Sequence, residues 1–424
     1  MKKLLLRQVL LDNKNVDVLI AGNRFAQIAP SIAATNETEL IDGTGYAIVP
    51  PFYNTHGHAA MTLFRGFADD IELFPWLHKY IWPAEKLLTP DDVACASRLA
   101  IVEMIRSGTV FFNDMYWYQA IVAQVAHEMG MRAAIGRFFI EESPGKVHPL
   151  CLQQTEELET IAPSLDPRIQ ITYAPHAIYT VSGTTLKRIA AKAKETGQII
   201  HIHAAETLTE CEQCQKEHQM TPIAWIDACG LLGSNTILAH GVHLTKDDIA
   251  RIRDSGASIA HMPVSNAKLC SGIFRFHDVA TLGGCRVTIG TDGCASNNNL
   301  SMFDEIKMAA LSSKITHCSF TAAPAAAIWD AATRQGAAAF NINAGVIAPG
   351  YLADALLIAL KHPAMVPNYN LTANLVYAAD PSVVDTVICD GQILMRHRKI
   401  PGEEEIVTEV ERIARRYAPL ARKI

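Results

Sequence analysis

Eight short apolar runs separated by helical stretches set the tightest limit on how this chain can fold. The runs are "YAIVPPFYNTHGH", "TVFFND", "AAIGRF", "IQITYAPH", "IIHIHAAE", "TILAHG", "ASIAHMP" and "VTIGTDG". Between them lie amphipathic segments such as "SGTTLKRIAAKAKETG" and "TKDDIARIRDSG", each closing on a glycine as helices commonly do. Eight such repeats predict a (β/α)8 barrel, in which parallel strands are joined by crossover helices. The two ends read differently. "DVLIAGNRFAQIAP", "ADALLIAL" and "SVVDTVICDGQILMR" are short β-type runs broken by turns. Neither end is long enough to fold alone. The expected architecture is therefore α/β: a TIM-like barrel over residues 51–345, with a small β-sandwich built from both termini. Residues 1–50 supply one part of that sandwich, and residues 346–424 supply the other part plus a terminal helix. That helix, "GEEEIVTEVERIARRYAPLARKI", begins acidic and ends basic, which complements a helix dipole.

Composition excludes several functions. Of the 424 residues, 49% are hydrophobic and 19% charged, which describes a large buried core and not a disordered chain. The formal net charge is −6, and no dense Lys/Arg block occurs before the C-terminal segment, so nucleic acid is not an expected partner. No apolar stretch approaches the ~18 residues of a membrane span. "MKKLLLRQVLLDNKNVD" reads as a first strand and turn, not a signal peptide. A cytoplasmic location is expected, with the ten cysteines reduced and buried. Cys211 and Cys214 form an isolated C-x-x-C that reads as coincidental without a second pair.

Active sites of such barrels sit at the C-terminal ends of the strands. The polar residues that close the candidate strands are His56 and His58, His176, His203, His240, His261 and Asp292. Residues two apart on an extended chain share a face, so His56 and His58 can converge on one ion. One strand-end histidine is commonly a hydrogen-bonded core residue. So many imidazoles and a carboxylate on one rim instead suit a catalytic Zn²⁺ with an open position for water.

"NTHGHAAMTLFRGFADD", "HIHAAET", "LAHGVHL", "MPVSNAKL" and "TDGCASNNNLSMFDE" resemble, in this order, the motifs of the amidohydrolase superfamily. "TLFRGFADDIELFPWLHKYIWPAE" is similar to its 5'-methylthioadenosine/S-adenosylhomocysteine deaminase branch. The resemblance implies that His56, His58, His203 and Asp292 bind the metal, expected to be one Zn²⁺ per chain with Fe²⁺ and Mn²⁺ as alternatives. His240 would hydrogen-bond the nucleophilic water, Glu206 would shuttle protons to the ring, and Asp292 would take the water's proton. Glu85 would hold the ribose hydroxyls, His176 would contact the purine, and Arg137 would help bind an amino-acid tail. A second tail-binding arginine, which the branch leads one to expect, is missing between Glu141 and Pro167. Binuclear relatives carry a modified lysine on the fourth strand; "IQITYAPHAIY" has none, hence the single ion.

The expected function is hydrolytic deamination of adenosine-type nucleosides: 5'-methylthioadenosine, S-adenosylhomocysteine, adenosine or 5'-deoxyadenosine. The partner is thus a small-molecule nucleoside, and a homo-oligomer is expected. A related deaminase or dechlorinase of guanine, pterins or triazines is the alternative, and a non-catalytic scaffold the remote one. The two tryptophans of "LFPWLHKYIWPAE" read equally as core or as a lid, His261 as a supporting or structural residue, and His243 as facing away from the site.

Overall fold

The computed structural model describes residues 3–421. The barrel strands follow one another in chain order as Phe52–Gly57, Thr109–Asp114, Arg132–Phe139, Ile169–Pro175, Ile200–Ala204, Thr236–His240, Ser258–His261 and Arg286–Ile289. Sequential neighbours pair in parallel, and a parallel bridge between Gly57 and Asp292 brings the chain after the eighth strand back to the first. The helices between them start and stop where local chemistry dictates. Thr89 and Asp92 form a reciprocal capping box before Pro90–Arg106, and Thr245 and Asp248 repeat it before Lys246–Ser255. Gly197 and Gly256 end their helices at φ 69° and 75°, a left-handed conformation that costs glycine little.

The first candidate run is not one strand but two. Pro50 and Pro51 offer no N–H to a ladder, so pairing stops there. Tyr46–Val49 joins a sheet made by the two ends of the chain, and Phe52–Gly57 opens the barrel. That terminal sheet runs, in spatial order, Gln392–Met395, Val384–Cys389, Ala355–Ala359, Tyr46–Val49, Lys3–Leu11, Lys14–Ala21 and Arg24–Ala29. Lys3–Leu11 changes partner at a bulge. Before it the strand pairs with Thr38–Asp42, and beyond it with Tyr46–Val49. The expected sandwich is thus one continuous mixed sheet, with its own apolar core around Leu4, Leu6, Val18, Ile48 and Leu357.

Polar ties join this sheet to the barrel. The buried Arg132 guanidinium pairs with Asp354 at 3.2 Å and Asp390 at 2.9 Å, and the Tyr53 hydroxyl donates to Asp354 at 2.7 Å. The terminal helix, Glu403–Ala414, carries three glutamates in its first turn and Arg412 in its last. It lies against Pro90–Arg106 of the barrel: Arg106 pairs with Glu403, and the Tyr417 hydroxyl donates to Asp92 at 2.8 Å. The basic Arg422 and Lys423 lie outside the described residues. All ten cysteines are free thiols, and burial pushes Cys211 and Cys214 up to about 12. Among the described residues no helix is long and apolar enough to cross a membrane.

Candidate active site

The strand register carries the key side chains to one rim. Ala204 pairs with His240, which places His203 beside the end of the sixth strand, while the Gly57 bridge sets Asp292 beside His56 and His58. That closure depends on Gly290: a Cβ there would stand 2.8 Å from the His56 amide nitrogen. His240 and Asp292 both adopt positive φ, 72° and 61°, a strained backbone for non-glycine residues that the surrounding hydrogen bonds must hold. The result is two overlapping sets of donor atoms, His56–His58–His203 and His56–His240–Asp292, each within 4.8 Å. Asp292 Oδ1 lies 3.1 Å from His58 Nε2 and 3.4 Å from His56 Nε2.

The other face of each ring is tied down. His58 Nδ1 meets the Met115 carbonyl at 2.6 Å, His203 Nδ1 the His176 carbonyl at 2.7 Å, and His240 Nδ1 the Asn266 side-chain oxygen at 2.8 Å. Carbonyl acceptors at Nδ1 require the hydrogen there and leave Nε2 as a lone pair facing the centre. Burial pushes His56 down to about 4 and His203 well below the ordinary imidazole value, so both are neutral, the form that ligates metals. Burial alone would raise Asp292, but the His56 and His58 imidazoles override it and hold the carboxyl well below the usual range. Its second oxygen accepts from Ser265 at 2.7 Å and Ser296 at 3.0 Å, leaving Oδ1 toward the histidines. His56 Nε2 is buried with no hydrogen-bond partner. Burial would lower His58 as well, but contact with Asp292 raises it above the ordinary imidazole value, as for a ring held against a carboxylate with no cation between them. Three imidazoles, one of them with an orphaned Nε2, and a carboxylate are a donor set that fits a divalent metal.

Glu206 stands at the edge of this cluster, its Oε2 3.7 Å from His240 Nε2 and its Oε1 accepting from the Ser271 hydroxyl at 3.3 Å. Burial raises its carboxyl above the ordinary value, although His240 opposes the shift. Above it opens a cavity of about 450 Å³, a size that suits a nucleoside. Glu85 lies in the wall, accepting from the Trp117 indole at 3.3 Å, and burial raises its carboxyl too. His176 lines the same space, with Nδ1 against the Thr180 hydroxyl at 2.9 Å. Trp76 and Trp82 also line it, so both belong to the cavity wall.

Arg137 is the expectation that the structure corrects. It neighbours Phe138 on the third strand, and adjacent strand residues face opposite ways. Phe138 takes the cavity side. Arg137 instead pairs with Glu159 at 3.0 Å, donates to Gln198 at 3.1 Å, and stacks on Tyr173. Among the described residues lining the cavity, Lys86 is the one Lys or Arg.

Four supports went unread in the sequence. His201 meets His56 Nδ1 at 2.7 Å; its signal was the two-residue spacing to His203, the same spacing that singled out His56 and His58. Asn266 and Ser265, inside "MPVSNAKL", hold His240 and Asp292. Glu210 accepts the amides of Ala205 and Glu206 at 3.0 and 2.8 Å and so shapes the turn that presents Glu206. His243 stays outside the cavity and caps the Ser271 carbonyl at 2.6 Å. His261 is buried against Phe274, its rings stacked at 4.4 Å, with neither nitrogen hydrogen-bonded.

Comparison with known proteins agrees with this geometry. Residues 47–394 match the model of the amidohydrolase family. The chain is 44% identical over 382 residues to a 5'-deoxyadenosine deaminase of Methanospirillum hungatei, covering 89% of this chain and 85% of that one. It is 40% identical over 400 residues to 5-methylthioadenosine/S-adenosylhomocysteine deaminase 1 of Archaeoglobus fulgidus, covering 94% of each. Its fold superposes with a TM-score of 0.91 and 30% identity on an adenosine deaminase from Xanthomonas campestris with bound zinc, over 98% of both chains. With its strand-end histidines and aspartate on one barrel rim and this match across most of its length, the chain belongs to the amidohydrolase family.

Proposed function

We propose that this protein is a zinc-dependent aminohydrolase that removes the 6-amino group of adenosines carrying a small apolar 5' group, 5'-deoxyadenosine and 5'-methylthioadenosine foremost. The observation that carries this reading is the pairing of the His/Asp cluster and Glu206 with an aromatic, arginine-free cavity that has a half-buried carboxylate, Glu85, in its wall. The names of the deaminases from Methanospirillum hungatei and Archaeoglobus fulgidus support the nucleoside class. Both donor sets share His56, which supports a single ion. Free thiols throughout agree with a reducing compartment such as the cytoplasm.

His56, His58, His203 and Asp292 would hold the ion, which when bound makes hydroxide available near neutral pH. His240 presents the Nε2 lone pair to the attacking water, because Asn266 holds its Nδ1 hydrogen. Asp292 takes a proton from that water while Glu206 protonates purine N1, so that charge does not accumulate as C6 is attacked. Asp292 then passes its proton to the departing amine, and Glu206 recovers one from the C6 hydroxyl as the carbonyl forms. Glu85 accepts hydrogen bonds from the ribose hydroxyls, and His176 lies against the purine. A charged homocysteine tail finds no guanidinium here to clamp its carboxylate, only the single ammonium of Lys86, so S-adenosylhomocysteine ranks below the apolar substrates.

The test is elemental analysis followed by an ammonia-release screen over 5'-deoxyadenosine, 5'-methylthioadenosine, S-adenosylhomocysteine, adenosine, guanine and triazines. One zinc per chain and turnover of the first two are expected. Activity confined to free bases or triazines would refute the nucleoside reading.

A further inference from the structure

We propose that His201 is a positioning residue for His56: its Nε2 accepts the His56 Nδ1 hydrogen and so fixes the tautomer and the direction in which His56 Nε2 meets a divalent ion. The inference rests on the metal reading above, not on which nucleoside is used. Both side chains are fully buried, and their nitrogens lie 2.7 Å apart. A ring nitrogen facing a cation must be unprotonated, so the His56 hydrogen belongs on Nδ1. His201 must then be the acceptor, with its own hydrogen on Nδ1. That nitrogen has no hydrogen-bond partner inside the barrel. Leaving a buried donor unpaired is costly, and an apolar residue at position 201 would avoid it. The contact to His56 is what the imidazole provides in return.

The fold explains why an imidazole takes this place. His58 and His203 rest on the carbonyls of Met115 and His176, which lie just past strand ends, where a carbonyl keeps a lone pair to spare: that of His176 takes one amide, from His203 at 3.0 Å. His56 sits inside the first strand, and its own carbonyl already receives the amides of Thr291 and Asp292. Strand carbonyls at that depth are committed to neighbouring strands, so only an inward-pointing side chain can serve. His201, two residues before His203 on the fifth strand and on the same face, is in position.

The experiment is zinc competition against a chromophoric chelator on the metal-loaded protein, for native, His201→Leu, His201→Asn and His201→Gln chains, with a thermal melt of each. A glutamine oxygen reaches the place of imidazole Nε2, whereas asparagine is too short and leucine has no acceptor. Loss of such an outer partner typically weakens metal binding 10–100-fold, so Leu and Asn should fall in that range and Gln should stay within about threefold of native. Should the leucine chain fail to fold, the Asn–Gln pair carries the comparison alone. Leu or Asn binding zinc as tightly as native, or Gln binding as weakly as Asn, would overturn the proposal. A native chain that holds no zinc would overturn the metal reading itself, before any variant is compared.

Discussion

Glu206→Gln keeps the volume and backbone of a buried side chain and removes only its capacity to give up a proton. The amide oxygen can still accept the Ser271 hydroxyl, now at 3.3 Å, so the ground state loses no more than one ordinary hydrogen bond, ~1 kcal/mol. A general acid–base group contributes roughly 10²–10⁴-fold. At 1.36 kcal/mol per tenfold, that is about 3–5 kcal/mol on the barrier. The two magnitudes predict a split: kcat for 5'-methylthioadenosine falls by at least about a hundredfold, while KM moves by no more than about fivefold. Metal content should stay at the native level, because Glu206 is not among the clustered donor atoms. There is also a pH signature. Burial raises the Glu206 carboxyl, and on the proposed mechanism it acts in its protonated form, so native turnover should decline as pH climbs through that raised value. The Gln variant should lack this alkaline limb. Steady-state ammonia release from pH 5 to 9, with metal analysis of both proteins, reads all three quantities. A variant within tenfold of native, or one that has lost its metal, would refute the reasoning.

Glu85→Ala should raise KM for adenosines about ten- to a hundredfold, since hydrogen bonds to a charged group are worth roughly 1.5–3 kcal/mol. 2'-Deoxy analogues should be much less sensitive to the change, and equal sensitivity would place Glu85 elsewhere than at the ribose. Arg137→Ala should leave the preference between 5'-methylthioadenosine and S-adenosylhomocysteine unchanged, because its guanidinium is occupied by Glu159 and Gln198; a shifted kcat/KM ratio would return it to the tail site. Removing the metal with a chelator should abolish turnover, and one equivalent of Zn²⁺ per chain should restore it, as titration would show. Glu210 supplies a stability test. Burial lifts its carboxyl from 4.5 to about 7. The folded state therefore binds this proton more tightly than the unfolded chain. The group costs nothing below about pH 4.5, and its cost, ~3 kcal/mol, accrues up to pH 7 and is complete above it. The stability advantage of native over Glu210→Gln should thus be smaller at pH 8 than at pH 5, as measured by denaturant unfolding; an equal gap at both would contradict it.

Periodicity along the chain was enough to specify the barrel and the rim on which the candidate site lies. A strand's side chains alternate with period two and its C-terminal end is a fixed place in this fold, so His56, His58, His203, His240 and Asp292 could be assigned to one rim from spacing alone. The same rule places His201 on that face of the fifth strand, two residues before His203, without saying what its ring touches. Tertiary structure alone decided matters that depend on register and on chain segments distant in sequence. Arg137 and Phe138 are neighbours, and which of them faces the cavity is set by how the third strand pairs with its partners, not by local sequence. Pro50 and Pro51 divide an unbroken apolar run between two sheets, because a missing N–H shows its effect only once a partner strand is present. Asn266 on His240, and Ser265 and Ser296 on Asp292, are contacts made across loops and around the barrel. No spacing encodes them. They exist because closing the barrel removes water from these polar atoms, and each must then find its partner in another part of the chain.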